Sequence, residues 1–333
     1  MKIGLTYDLR SEYLAVGFSE EETAEFDRDD TVEAIERALE SLGHRTERIG
    51  NVKRLIERLA TGDRWDLVFN IAEGLLGIGR EAQVPAVLDA YDIAYTFSDP
   101  LVMSLTLHKG ITKRVIRDAG LPTAEFEVVT VVEDVELVRF SPPYFIKPVA
   151  EGTSKGVGPS SVVRRREDLA DRCAAMLTAY RQPVLVEQFL PGREFTVGIL
   201  GTCRDAEVLG TVEVCLRAGA EPEAYSYINK KRYEALVEYC LVDSGKDSVV
   251  KEAETVALES WRVLGCRDAG RVDLRCDAEG RPVFIEVNPL AGLHPEHSDL
   301  PIIGRRTGMS YGELVRRIVN SAVTRLRGDH PGH

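Results

Sequence analysis

The segment GRVDLRCDAEGRPVFIEVNPLAG, residues 270–292, concentrates side chains able to do chemistry. Strict alternation puts Arg271, Asp273 and Arg275 on one face of a first strand, with Val272 and Leu274 behind them. On the return strand Val283, Ile285 and Val287 share a face opposite Phe284, Glu286 and Asn288. A two-residue turn at Ala278-Glu279 pairs Asp273 with Phe284 and Arg271 with Glu286. Asp273, Glu286, Asn288 and Arg271 then project together, within cross-strand or diagonal reach. Two carboxylates and an amide oxygen make a hard-oxygen site suited to Mg²⁺, with Mn²⁺ as a substitute, and such an ion keeps substrate phosphates among its ligands. An isolated hairpin of this kind would read as a solvated face with an Arg–Glu pair. The Gly-containing loop directly after the acids favours the metal.

A second group is cationic. Lys147 lies in YFIKPV, an otherwise apolar strand, and EGTSKGVG follows at 151–158. Glycines let backbone N–H groups close around phosphate oxygens, Thr153 and Ser154 add hydroxyl donors, and the lysine supplies a point charge. No G-K-[ST] opens a helix, so this is not the Walker pattern. Lys109 and Lys230 are further candidates for phosphate contact. Glu187 and Glu194 flank Pro191-Gly192 between two strands. Such a linker can offer backbone groups to an adenine edge and a carboxylate to a ribose.

These residues need a scaffold. KIGLTY at 2–7 reads as a strand. Asp30 heads a helix with Glu33 as a capping-box partner and Val32, Ile35, Leu39 and Leu42 at helical spacing, and Gly43 ends it. Val52, Leu55, Ile56 and Leu59 mark a second helix. DLVFNI at 66–71 is an apolar run typical of a strand buried on both faces. Strand, helix, helix, strand predicts a parallel α/β sheet. Beyond Pro100 the pattern predicts helices at 109–119, 167–180, 250–264 and 310–326. Strands are expected at 125–132, 144–149, 161–163, 184–189, 194–201, 206–215, 271–276 and 282–288. Residues 217–235 lack a period and read as a long loop. This loop and 151–158 are expected to order around a nucleotide, excluding water.

The chain has 333 residues, which predicts two to three domains. Its net charge of −12 argues against a nucleic-acid face. No apolar run approaches a membrane span, and residues 1–10 show no signal-peptide core, so a cytoplasmic protein is expected. The six cysteines form no C-x-x-C pair and read as reduced thiols.

In their order along the chain, these motifs resemble the ATP-grasp superfamily, in its D-alanine–D-alanine ligase-like branch. The matching stretches are VFNIAEG and GREAQVPAVLDAYDIAYTFSDP within 68–100, LTLHKGITKRVIRDAGLPT at 105–123, YFIKPVAEGTSKGV at 144–157, VLVEQFLPGREFTVGIL at 184–200, the hairpin at 270–293, and HSDLP at 297–301. The resemblance implies an N-terminal doubly wound parallel α/β domain (1–103), a small central α+β lobe (104–191) and a C-terminal α+β lobe (192–333), with ATP between the last two. It implies that Lys109 and Lys147 hold phosphates, and that Thr153, Ser154 and Gly156 form the loop over them. Glu187, Phe189 and Leu190 would form the adenine hinge, with Glu194 on the ribose and Lys230 on the γ-phosphate. Asp273, Glu286 and Asn288 would hold Mg²⁺. Arg271 and Gly292 would hold the oxyanion, and Ser298 the second substrate's carboxylate. The implied reaction makes an acyl phosphate from a carboxylate, then an amide from an amine, releasing ADP and phosphate. No enzyme nucleophile is needed. A homodimer is compatible with this reading; nucleic-acid and membrane partners are not expected.

Nearly every departure falls on the first-substrate side. Residues 7–27 show no early acidic-serine motif, and the family's His-Gly is Glu73-Gly74. Its acidic pair is Arg80-Glu81, the residue after the loop lysine is Lys231, and E-x-N-P-x-A-G replaces E-x-N-T-x-P-G, with one extra residue before His297-Ser298. The expectation is therefore a carboxylate–amine ligase whose first substrate is not D-alanine, with Glu73 on a substrate ammonium and Arg80 on an added anionic group. The rivals are a true D-alanine–D-alanine ligase and a nucleotide-binding protein without ligase activity. The intact Arg271, Asp273, Glu286, Asn288 and Lys230 count against the second rival.

Overall fold

The computed structural model describes residues 1–217 and 236–326. The N-terminal sheet is parallel, in the order β2-β1-β3: β1 Lys2–Thr6, β2 Arg45–Gly50 and β3 Leu67–Asn70. Between and after these strands run α1 Arg10–Ala15, α2 Asp29–Ser41, α3 Val52–Ala60 and α4 Gln83–Ala90. Ile3, Leu5, Leu67 and Phe69 pack under α2 through Val32, Ile35 and Leu39. Ile49 and Val68 pack with Leu55 and Leu59 of α3 and Leu88 of α4. Helices thus cover both faces, as a parallel sheet requires.

α5 Pro100–Leu107 and α6 Lys109–Asp118 lead into a four-stranded sheet ordered β4-β7-β5-β6, with β4 Phe126–Val129, β5 Tyr144–Pro148, β6 Val162–Val163 and β7 Val184–Gln188. α7 Leu169–Tyr180 lies on one face. Tyr144, Ile146, Val184 and Val186 point into that packing, so alternation turns Phe145, Lys147 and Glu187 to the other face.

The third sheet is antiparallel, in the order β10-β9-β8-β11-β12. It contains β8 Glu194–Leu200, β9 Glu207–Leu216, β10 Val237–Val242, β11 Ala269–Cys276 and β12 Pro282–Asn288. α8 Ser248–Val263 buries Trp261 against it, and α9 Asp299–Arg306 and α10 Tyr311–Leu326 close the chain. No helix among the described residues is long and apolar enough to cross a membrane.

Several expectations are corrected. RTERIG is strand β2 although only Ile49 is buried, because its alternation is polar and its pairing to β1 decides it. α1, α4, α5, α9 and β10 were not expected either. The helix expected to start at Asp30 begins at Asp29 with Arg28 at the N-cap and no side-chain cap. Asp30 instead pairs with Arg28 at 2.9 Å and approaches His294 at 3.4 Å. The expected 217–235 loop falls, from 218 on, outside the described residues, as does Lys230.

Candidate active site

Hairpin β11–β12 forms with a different register from the one its alternation suggests. Asp273 faces Glu286, and Arg271 faces Asn288. The turn is longer than two residues. Asp277 accepts hydrogen bonds from the Glu279 and Arg281 backbone N–H groups, at 3.0 and 2.9 Å, and Cys276 pairs with Pro282. The register shifts between Asp273 and Leu274, where Ile285 is the extra residue. The bulge breaks strict alternation. Phe284 is fully buried beside Leu274 in the core, while Ile285 and Glu286 both line the cleft. Asp273, Glu286, Asn288 and Arg271 still converge, through pairings other than those expected.

This face looks across a cleft at β5 and β7. Lys147 and Lys109 approach Glu286 at 3.8 and 3.6 Å, and Lys109 donates to the Glu151 carbonyl at 2.6 Å. Glu187 lies between Lys113 at 2.6 Å and Lys147 at 3.0 Å. All three are buried. Burial works against the Glu187 charge, but the two lysines overcome it and hold its carboxyl below the usual range. Burial also works against Lys147, and Glu187 and Glu286 together hold its pKa up. Lys113 has fewer carboxylates near it, and burial lowers its pKa. Lys113 is absent from the sequence-based site. The signal was there: it stands four residues from Lys109 on α6, on the same helix face.

Phe145, Val157, Phe189, Leu190 and Ile285 line the apolar part of the cleft. Glu194 is at its edge, 3.4 Å from Arg275, whose guanidinium also lies over the Phe189 ring. Glu187 lines the cleft beside Phe189 and Leu190, with its carboxylate in the lysine cluster. Ser154 lines the cleft, whereas Thr153 lines the two neighbouring pockets. Gly156 lines neither. At φ +76° it faces Pro148 and Tyr180, and an added Cβ would lie 2.6 Å from Pro148 Cγ, so it shapes the loop from behind.

Asp273 accepts from Thr196 Oγ1 at 2.8 Å, pairs closely with Arg271, and receives Asn288 Nδ2 at 3.4 Å. Arg271 also reaches Asp299 at 3.5 Å. Its burial would lower its pKa, but Asp273 and Asp299 raise it, so it is permanently charged. The donor set suits Mg²⁺: two carboxylates and an amide oxygen beside cations that can take phosphate. Among the described residues no three His, Cys, Asp or Glu side chains form a closed cage. An ion that completes its shell with phosphate oxygens and water needs no such cage.

Beyond Arg271 are two pockets. One holds Gly292, His294, His297, Ser298 and the start of α9. Ser298 Oγ accepts from the His294 N–H at 2.9 Å, and a Cβ on Gly292 would lie 2.9 Å from that same Oγ. The other holds Glu25, Glu73, Glu81, Thr106, Lys109, Asn288 and Gly292. Glu73 and Arg80 do not pair. Arg80 is buried, bound to Glu25 at 2.7 Å and to the Ala150 carbonyl at 2.8 Å. Arg80 therefore cannot offer a free guanidinium to an anionic substrate. Glu25 also accepts from the Gly152 N–H, so the 20–27 segment is tied to the glycine-rich loop.

The family model for the D-ala D-ala ligase C-terminus matches residues 115–320. A D-alanine–D-alanine ligase of Bordetella petrii is 32% identical over 294 residues, spanning 88% of this chain and 86% of that one. The chain belongs to the D-alanine–D-alanine ligase family. It is an ATP-grasp ligase that forms a carbon–nitrogen bond. The Sinorhizobium fredii protein y4sG is equally similar, 32% identical over 310 residues and 89% of this chain. The fold matches that of a Bacillus anthracis D-alanine–D-alanine ligase complexed with ATP, with a TM-score of 0.74 at 20% identity over 99% of this chain. Glu25, which lines the pocket with Glu73 and Glu81, was not among the expected site residues. The glutamate was hidden in an acidic stretch, SEEETAEFD, that gives no period or spacing to single it out.

Proposed function

We propose that this ligase uses ATP to phosphorylate the carboxylate of a first small molecule other than D-alanine. The amine of a second then attacks the acyl phosphate. The observation that carries this is the contrast between a complete cationic and hard-oxygen cleft and an adjoining pocket lined by Glu73 and Glu81. Lys109, Lys147 and Ser154 are assigned to the phosphates, with Glu187 and Lys113 holding Lys147 in place. Thr153 and Gly156 shape the loop above. Phe189, Leu190 and Ile285 would sandwich the adenine, and Glu194 would reach the ribose. Lys230, outside the described residues, keeps its assignment to the γ-phosphate.

Asp273, Glu286 and Asn288 would hold Mg²⁺, which neutralises phosphate charge when bound. Arg271 and the Gly292 N–H stabilise the oxyanion. Ser298 and the start of α9 take the second substrate's carboxylate, which a helix N-terminus favours. The three sheets correspond in this reading to lobes 1–103, 104–191 and 192–333, in a cytoplasmic enzyme.

The test is ADP release with pairs of amino acids, D-alanine included, followed by product mass. Rapid D-alanyl-D-alanine synthesis would instead establish the reading favoured by the Bordetella relative, a dedicated D-alanine–D-alanine ligase.

A further inference from the structure

The pocket beside Arg271 and Gly292 has cations around it, and each is already engaged. Arg80 holds Glu25 at 2.7 Å and the Ala150 carbonyl at 2.8 Å. Lys109 holds the Glu151 carbonyl at 2.6 Å and approaches Glu286 at 3.6 Å. Arg271 is held by Asp273 and Asp299. Glu73 and Glu81 are different. Both line the pocket wall, and among the described residues no hydrogen bond or ion pair reaches either carboxylate; Arg80 acts on both only at longer range, and its attraction does not offset burial. The pocket adjoins the reacting centre, since Arg271, Gly292 and Asn288 line it too.

We propose that the first substrate of this ligase is a dibasic amino acid, with Glu73 and Glu81 together receiving its two cationic groups. The proposal rests on the ligase reading and names its substrate class. The argument is one of charge. The first substrate must present its carboxylate to the phosphoryl group, so its α-ammonium enters on the same side. One ammonium satisfies one carboxylate and leaves the other either charged without a partner or protonated, and either state costs free energy at neutral pH. A second cation on the substrate side chain satisfies both. The electrostatics agree. Burial, then Glu81 and Glu25, hold the Glu73 carboxyl well above its ordinary range, and burial pushes Glu81 up to about 7. Either group gains from an ammonium beside it.

The experiment measures ADP release by the full chain with ATP and Mg²⁺. First substrates are alanine, norleucine, lysine, ornithine and 2,3-diaminopropionate, each in both configurations. The expected result is a kcat/KM for a dibasic substrate at least tenfold above that for norleucine. Glu73→Gln and Glu81→Gln should each bring that ratio towards one while leaving the KM for ATP within twofold. A wild-type preference for alanine or norleucine, or a ratio unchanged in both variants, overturns the proposal and leaves the ligase reading standing. No ADP release above background with any substrate, while ATP still binds by calorimetry, removes both. Should the variants fail to fold, calorimetry of lysine and norleucine binding to the wild type at pH 7, in buffers of different ionisation enthalpy, decides. Greater proton release with lysine than with norleucine supports the proposal; equal proton release with both overturns it.

Discussion

The cationic cleft and the pocket proposed for the first substrate are both lined by carboxylates, and they treat them differently. In the cleft each acid has a cation: Glu187 has Lys113 and Lys147, Glu286 has Lys109 and Lys147, and Asp273 has Arg271. In the pocket Glu25 has Arg80, Glu151 has Lys155 and Glu286 is shared with the cleft, but among the described residues Glu73 and Glu81 have no ion pair. Glu73 and Glu81 repel one another behind the same wall. A balanced set holds its geometry without help and suits a ligand chemistry shared across a family. An unbalanced set stores an electrostatic cost that one class of ligand can relieve, which makes it a device for choosing substrates.

The comparison breaks most visibly at Lys113. Lys113→Ala would leave Glu187 with one cation in a buried site, and a loss of about 3–5 kcal/mol is expected for breaking a buried pair. Chemical denaturation measures it; a loss within about 0.5 kcal/mol would mean the cluster is not a stability element. Next is Glu286→Gln, where turnover should fall by roughly a hundredfold or more, with the fold retained by circular dichroism. Near-normal turnover at limiting Mg²⁺ would remove Glu286 from the metal set.

Glu81→Gln sharpens the contrast through its sign. A carboxyl raised in the folded state to about 7 from an ordinary 4.5 binds protons that the unfolded chain has lost. Its favourable contribution is therefore present below the unfolded value and is lost as pH rises through about 7. The variant should be more stable than wild type at pH 8, by on the order of 1–3 kcal/mol, with the gap closing near pH 4. Thermal melts across that range check it, and a variant less stable at pH 8 would contradict it. The smallest effect is expected for Arg275→Ala. Losing the guanidinium over Phe189 should weaken ATP binding only a few-fold, about 1 kcal/mol. Calorimetry with a non-hydrolysable ATP analogue measures this, and an unchanged Kd would exclude Arg275 from the nucleotide edge.

Alternation and spacing in the sequence already placed Arg271, Asp273, Glu286 and Asn288 on one face, Lys147 on a cleft strand, and the glycine-rich loop after it. These assignments depend on local period, and period survives folding wherever a strand has one apolar face, as Tyr144 and Ile146 show under α7. Register was not local. A longer Asp277 turn and a bulge at Ile285 set it, and together they sent Phe284 to the core while keeping Glu286 in the cleft. Partner choice was not local either. Arg80, expected on an anionic group of the substrate, binds Glu25, 55 residues earlier in the chain, and the Ala150 carbonyl just before the glycine-rich loop. Ion pairs form between whichever charges the packing buries together, because desolvation makes an unpaired charge costly and distance along the chain does not enter that cost. The sequence by itself determined which groups could act on ATP. Only the tertiary structure decided which carboxylates were left without an ion pair, because packing chooses the neighbours of a buried charge.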